Sequence, residues 1–352
     1  MKAAVFYGKQ DMRIEDVKEP VPGKGQVKIK VKWCGICGTD LHEFHGGPAI
    51  TSVTPHPLTG QMMPMILGHE FSGDIVELGP DVEGDWKVGD RVTVDPCIIC
   101  GKCYNCKNNH YNICSNLGFV GLASNGAFAE YCLAEDYQLY KLPDNVTYEA
   151  GAFAEPASVS LHAVRRAGVS LGDTALVVGL GPIGLLAVQA AKAAGAAHVY
   201  GVEISKARLE GGLNLGCTEV FNPKECDVVA EIKKMTDGIG CHVAINCNGN
   251  DASMRTCLDA TRGSATIASP GHGGGQPAQI STMTDLNFLE KQVIGSHVYV
   301  YEFVRTLPLL GDGRIKTEEL TSAKIKVDDL VKGGFEELLN NADKHLKILV
   351  QP

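Results

Sequence analysis

Long apolar runs are missing from this 352-residue chain. With 44% hydrophobic and 21% charged residues, no stretch approaches the length of a membrane helix, which excludes a spanning segment and leaves the composition of a soluble globular protein. Excess positive charge is missing too. The balance is 32 basic against 41 acidic residues, a net charge of -9, so no basic face is on offer to nucleic acid or another polyanion. Met1 opens on KAAVFYGKQ, without the basic stretch, long apolar segment and cleavage site of a secretory leader, so a cytoplasmic location is expected. There the thirteen cysteines stay reduced, and those that cluster become metal candidates. Cys34, Cys97, Cys132, Cys217, Cys226, Cys241, Cys247 and Cys257 read as small buried hydrophobes.

Length points to two domains. The first half has the texture of an all-β domain, with short strands expected at Lys28 to Trp33, Phe71 to Leu78, Arg91 to Asp95 and Phe128 to Leu133 between glycine and proline turns. Near Glu149 the sequence turns alanine-rich, and from Asp173 strands alternate with helical segments, as in a βαβ fold. We therefore expect an α/β protein. A β-rich first domain covers 1–157, a doubly wound parallel-sheet domain 158–297, and a tail at 298–352, too short to fold alone, returns to the first domain. In that tail a helix is expected at Asp328 to Leu339 and a strand at Lys347 to Val350. The glycine-rich Pro270 to Pro277 reads as a flexible surface connection.

Four cysteines stand out in CGKCYNCKNNHYNIC: Cys100, Cys103, Cys106 and Cys114, within a lobe at about 97–115. Two-residue gaps let successive thiolates turn inward on one loop, and a fourth from the far end closes the tetrahedral cage that structural zinc prefers. An iron–sulfur centre is the rival. The bacterial ferredoxin run has a three-residue final gap followed by proline, whereas here seven residues separate Cys106 from Cys114 and Ser115 follows.

A second signal is a cofactor turn. The strand Thr174 to Val178 runs into Gly179-Leu180-Gly181-Pro182-Ile183-Gly184 and then a helix from Leu185 to Ala194. Gly179 permits the tight turn, Gly181 lets the backbone approach a pyrophosphate, and Gly184 allows helix and strand to pack closely, while the helix N-terminus attracts negative charge. A second strand, His198 to Val202, ends at Glu203, where a carboxylate accepts hydrogen bonds from ribose hydroxyls and repels a 2′-phosphate. NAD is therefore expected over NADP, with Arg208 close enough to serve a phosphate instead. The plain alternative is a glycine turn in an ordinary α/β protein.

Three further segments, CGICGTDLHEF, LGHEF and Ala154-Glu155-Pro156, could contribute a thiolate, an imidazole and a carboxylate to an open zinc site. Their separation makes spacing alone weak support, since a histidine beside a glutamate is more often an ordinary surface or core pair.

Taken with the four-cysteine lobe and GLGPIG, these segments resemble the zinc-containing medium-chain alcohol and polyol dehydrogenase family over essentially the whole chain. Within that family CGICGTDLHEF, the insert from TPHPLTG to LGHEFSG, and AEPASVSLHAVRR are most similar to the (R,R)-2,3-butanediol dehydrogenases. The resemblance implies a GroES-like catalytic domain, a Rossmann domain, and zinc- and NAD-dependent oxidation of a secondary alcohol. It makes Cys37 and His69 catalytic zinc ligands, with Glu70 or Glu155 as the third, and it gives Thr39 and His42 a proton relay. Without it, Thr39 reads as a turn hydroxyl and His42 as a partly exposed histidine. Homodimers or homotetramers are also implied.

The expected substrate is a vicinal diol or hydroxyketone, with 2,3-butanediol, acetoin and diacetyl leading and sorbitol, xylitol, glycerol or threonine as alternatives. Sorbitol-type relatives place an arginine before an aromatic residue after the Rossmann segment. Here Val298 precedes Tyr299. A non-catalytic redox sensor is the alternative of another class, although it has little use for an open metal site beside a proton relay. Gly211 and Gly212 fall in an expected helix, which each is expected to weaken by up to about 1 kcal/mol relative to alanine.

Overall fold

The computed structural model describes residues 1–272, 275 and 277–352, so the expected loop at Pro270 to Pro277 lies partly outside the described residues. The chain forms two compact units. One comprises Met1–Glu155, Phe303–Gly311 and Thr317–Pro352; the other comprises Pro156–Glu302 and Asp312–Lys316.

The larger unit is built around the strand Gln26–Gly35, whose alternating sequence QVKIKVKWCG suits a sheet with one covered face. It pairs antiparallel with Glu70–Leu78, Tyr131–Glu135 and Lys347–Gln351. That register sets Gly35 opposite both Glu70 and Leu349. The tail strand thus enters the sheet beside the CGIC and GHE segments, which are far from it in sequence. The expected helix at Asp328 to Leu339 is irregular: a 3-10 turn at Val327–Asp329, a π-helical stretch at Leu330–Glu336 and an α turn at Glu337–Asn340. Its Phe335 packs edge-on against Phe44 and Phe128, at ring separations of 5.1 and 6.0 Å. These contacts fasten the tail beneath the helix Gly38–Gly46.

The second unit has six parallel strands in the order Glu219–Phe221, His198–Val202, Thr174–Val178, Cys241–Asn246, Thr261–Ser269, Gln292–Gly295. Chain order reverses at Thr174–Val178. That is the switch point of a doubly wound sheet, where the carboxyl ends of the strands leave a crevice for a ligand. All five residues of this strand are buried, as expected of a parallel strand covered on both faces.

Of the eight cysteines read as small hydrophobes, Cys34, Cys97, Cys132, Cys217, Cys241 and Cys257 are buried, while Cys226 and Cys247 are only partly so. The expectation for Gly212 needs correction. It does lie in a helix, Lys206–Asn214, but a Cβ there would stand 2.8 Å from Leu180 Cδ1 and 3.3 Å from Val220 Cγ1. A side chain there would crowd Leu180 and Val220 where the helix packs on the sheet, a contact that propensity alone does not count.

Candidate active site

Cys37 ends the turn after the strand Gln26–Gly35 and forms the N-terminal boundary of the helix Gly38–Gly46. His69 and Glu70 stand where the strand Glu70–Leu78 begins. One thiol, one imidazole and one carboxylate thereby offer ligand atoms all within 4.8 Å of one another. His69 and Glu70 are buried and Cys37 is partly so. Burial drives the Cys37 thiol well above its ordinary pKa, and the Glu70 charge adds to this. A buried thiol in that state needs a cation to become a thiolate. Three convergent donors of mixed type, with one position to spare, fit a zinc ion with an open coordination site.

Glu155, the second residue of the helix Ala154–Ala167, stands outside that close set of three. It is buried, and burial followed by the Glu70 charge pushes its pKa up to about 8. His69 and Lys347 oppose the shift, so its carboxyl senses the same cluster.

Two residues of this cluster were not read from the sequence. Lys347 Nζ donates to both Glu70 oxygens, at 2.8 and 2.6 Å, and to the Ile36 carbonyl at 3.0 Å. The pair is buried, with side-chain exposures of 4% and 1%. Burial pulls the Lys347 pKa down, but Glu70 outweighs it and the ammonium is held above its ordinary value. Gly35 makes room for the pair, since a Cβ there would stand 2.3 Å from Glu70 Oε2. Asp40 is fully buried; one oxygen accepts from the Cys37 amide at 2.9 Å and the other lies 3.6 Å from His69 Nδ1. The carboxylate thus holds the Cys37 backbone and lies beside, without hydrogen-bonding, the His69 ring. A sequence signal for Asp40 existed, an acid three residues after a helix-capping position. For Lys347 there was none, because only the sheet register brings the tail here.

Thr39 is partly buried and His42 exposed, three residues apart on the helix Gly38–Gly46 and so on neighbouring turns of one face.

The four-cysteine set also converges, with Sγ atoms all within 4.8 Å of one another. Backbone amides approach three of the sulfurs: Cys103 N to Cys100 Sγ at 3.3 Å, Cys106 N to Cys103 Sγ at 3.5 Å, and Cys100 N and Asn116 N to Cys114 Sγ at 3.4 Å each. Amides from Cys106 and Ser115 lower the Cys103 thiol to about 5. Four convergent sulfurs, three of them supported by amides, fit a closed, four-coordinate zinc site with no room for substrate.

In the second unit, Gly179 adopts φ +91°, and a Cβ on Gly184 would fall 1.8 Å from the Gly179 carbonyl oxygen. The turn therefore cannot carry a side chain at Gly184. Pro182 opens the helix Pro182–Ala193 at its first position, with Gly181 before it and Ile183 following. Glu203 accepts from the amides of Leu180 at 3.0 Å, Ile204 at 2.7 Å and Ser205 at 3.2 Å, which orients its carboxylate at the end of its strand. Arg208 Nη1 lies 3.9 Å from Glu203 and 4.0 Å from where a Gly181 Cβ would stand.

Two family models match the chain. The Alcohol dehydrogenase GroES-like domain covers residues 23–144, and the Zinc-binding dehydrogenase model covers residues 182–312. An (R,R)-butanediol dehydrogenase of Bacillus subtilis is 43% identical, with all of both chains covered. A sorbitol dehydrogenase of the same organism is 33% identical, over all of this chain and 97% of that protein. Among solved structures, the 2R,3R-butanediol dehydrogenase of Bacillus subtilis superposes with a TM-score of 0.92 at 40% identity, over all of this chain and 99% of that one. The chain therefore belongs to the zinc-binding alcohol dehydrogenases with a GroES-like domain, and it is a zinc- and NAD-dependent oxidoreductase.

Proposed function

We propose that this enzyme interconverts (R,R)-2,3-butanediol and acetoin, and reduces diacetyl to acetoin, with NAD as the hydride carrier. The observation that carries the reading is the open, buried donor set of Cys37, His69 and Glu70, distinct from the closed four-cysteine lobe. A zinc ion held there would supply the positive charge that favours loss of a bound hydroxyl's proton near neutral pH, and bound NAD would supply the hydride acceptor.

The chain's own residues do the rest. Cys37 and His69 would hold the metal, with Asp40 bonded to the Cys37 amide and lying beside His69. Glu70, and Glu155 in exchange with it, would supply the third ligand. Lys347 competes for Glu70, so Glu70 can lie paired while Glu155 takes a proton from, or gives a hydrogen bond to, the substrate's second oxygen. A vicinal diol or hydroxyketone has that second oxygen. Thr39 receives the departing proton and His42, exposed on the same helix face, passes it to solvent. Glu203 binds the adenosine ribose with the glycine turn from Gly179 to Gly184 under the pyrophosphate, and Arg208 lines the same turn. The four-cysteine lobe shapes its loop. A cytoplasmic homodimer or homotetramer is the form in which we expect the enzyme to work; no described helix is long and apolar enough to cross a membrane.

The test is NADH formation at 340 nm with the separate 2,3-butanediol stereoisomers, sorbitol and threonine, with and without a chelator. Fastest turnover is expected with the (R,R) isomer, abolished by the chelator. Faster oxidation of sorbitol or threonine would overturn the substrate assignment. Replacing His42 with alanine should slow oxidation most at low pH; an unchanged pH profile removes the relay.

A further inference from the structure

The carboxyl edge of the six-stranded sheet is where a dinucleotide binds in such folds. The last strand of that sheet, Gln292–Gly295, delivers the segment Ser296 to Glu302 to the same edge. Ser296 continues the ladder, its amide donating to the Ser269 carbonyl at 3.2 Å. Two residues of the segment have left-handed backbone, Val298 at φ +51° and Tyr301 at φ +59°. Among the described non-glycine residues with positive φ, Val298 is the sole β-branched one. Such a side chain clashes with its own backbone in this region, and the conformation persists only where surrounding contacts impose it.

One such set of contacts is built on Glu302, whose side chain is 1% exposed. One of its oxygens accepts from the Arg165 guanidinium, with His162 Nδ1 3.2 Å away, and the other accepts from the Val300 amide. His162 and Arg165 are three residues apart on the helix Ala154–Ala167 and face the same way. The amide of Val300, one residue before the strained Tyr301 and two after Val298, is thus tied through one carboxylate to a rigid helix. Burial raises the Glu302 pKa, but His162, the Val300 amide and Arg165 outweigh it and keep the group charged. Neither metal set nor the cofactor turn uses these three side chains.

We propose that Glu302, held by His162 and Arg165, is a positioning residue that forces the left-handed backbone of Val298 and Tyr301 and so sets the shape of the segment that closes over the bound dinucleotide. This rests on the NAD-dependent reading above. The clamp works by making a costly backbone conformation the stable one before cofactor arrives, so no binding energy is spent on bending the segment.

The test is NADH binding, followed by the fluorescence of the bound cofactor, with thermal unfolding of each protein alongside. Glu302→Gln is expected to weaken NADH binding about tenfold, the factor corresponding to one residue's left-handed penalty. Adding Val298→Gly to that variant should restore binding to within about threefold of the original, because glycine reaches positive φ without a clamp. Val298→Ala keeps the Cβ and should not restore it. Unchanged binding in Glu302→Gln overturns the proposal, as does failure of glycine to rescue or equal rescue by alanine. If Glu302→Gln does not fold, Arg165→Gln takes its place in the same series, since that side chain is 44% exposed. The measurement needs no alcohol substrate. An unsubstituted protein that binds NADH but oxidises no diol overturns only the substrate assignment; one that binds no NADH overturns the cofactor reading and this proposal together.

Discussion

The buried pair of Glu70 and Lys347 determines how a single side chain behaves at the metal site. Removing one partner of such a pair strands the other charge, at about 3–5 kcal/mol. Lys347→Met should therefore destabilise the zinc-free protein by about that amount, and the zinc-loaded protein by much less, because the metal then faces Glu70. Thermal unfolding with and without zinc checks this; equal losses in both forms would separate Glu70 from the metal. Glu155 gives a pH prediction. Its carboxyl titrates near 8 in the folded chain against an ordinary value of 4.5, so folding favours its protonated form. The stability this contributes is complete at pH below 4.5 and is lost as pH rises through 8. Zinc-free protein should thus lose stability across that window, and Glu155→Gln should lose less of it in denaturant titrations at successive pH values.

At the level of elements, the cofactor strand, turn and helix could be read residue by residue, because a parallel strand, a glycine turn and a capped helix are each specified by neighbours in sequence. The strand Thr174–Val178 lies where it was expected, as does His198–Val202. Gly212 was misjudged for the opposite reason. Helix propensity describes an isolated helix, and the side chains of Leu180 and Val220 that crowd this position come from other elements. Gly212→Ala should accordingly destabilise by about 1–3 kcal/mol through overpacking, where propensity alone expects a gain. A rise in melting temperature would show that the helix can shift away. The tail segment expected as a helix is helical but largely of π type, with Leu330 and Phe335 packed into the core.

For the whole molecule, the two donor sets predict two zinc ions per chain with separable roles. Cys103→Ser should lose one equivalent and lower the melting temperature, whereas Cys37→Ser should lose the other and abolish alcohol oxidation with little effect on melting. Metal analysis combined with calorimetry distinguishes them. Activity lost in Cys103→Ser without a stability change would reverse the assignment.

The sequence by itself determined what depends on short spacing or composition: the four-thiol set, the glycine turn with its acid, the change from β to α/β texture, and the net negative charge of the chain. Tertiary structure decided which distant donors meet. Cys37, His69 and Glu70 come together because two antiparallel strands align Gly35 with Glu70, and Lys347 joins them because the tail strand pairs with the same central strand. No local rule encodes that register. It is fixed by burying one face of a sheet whose strands lie from tens to hundreds of residues apart.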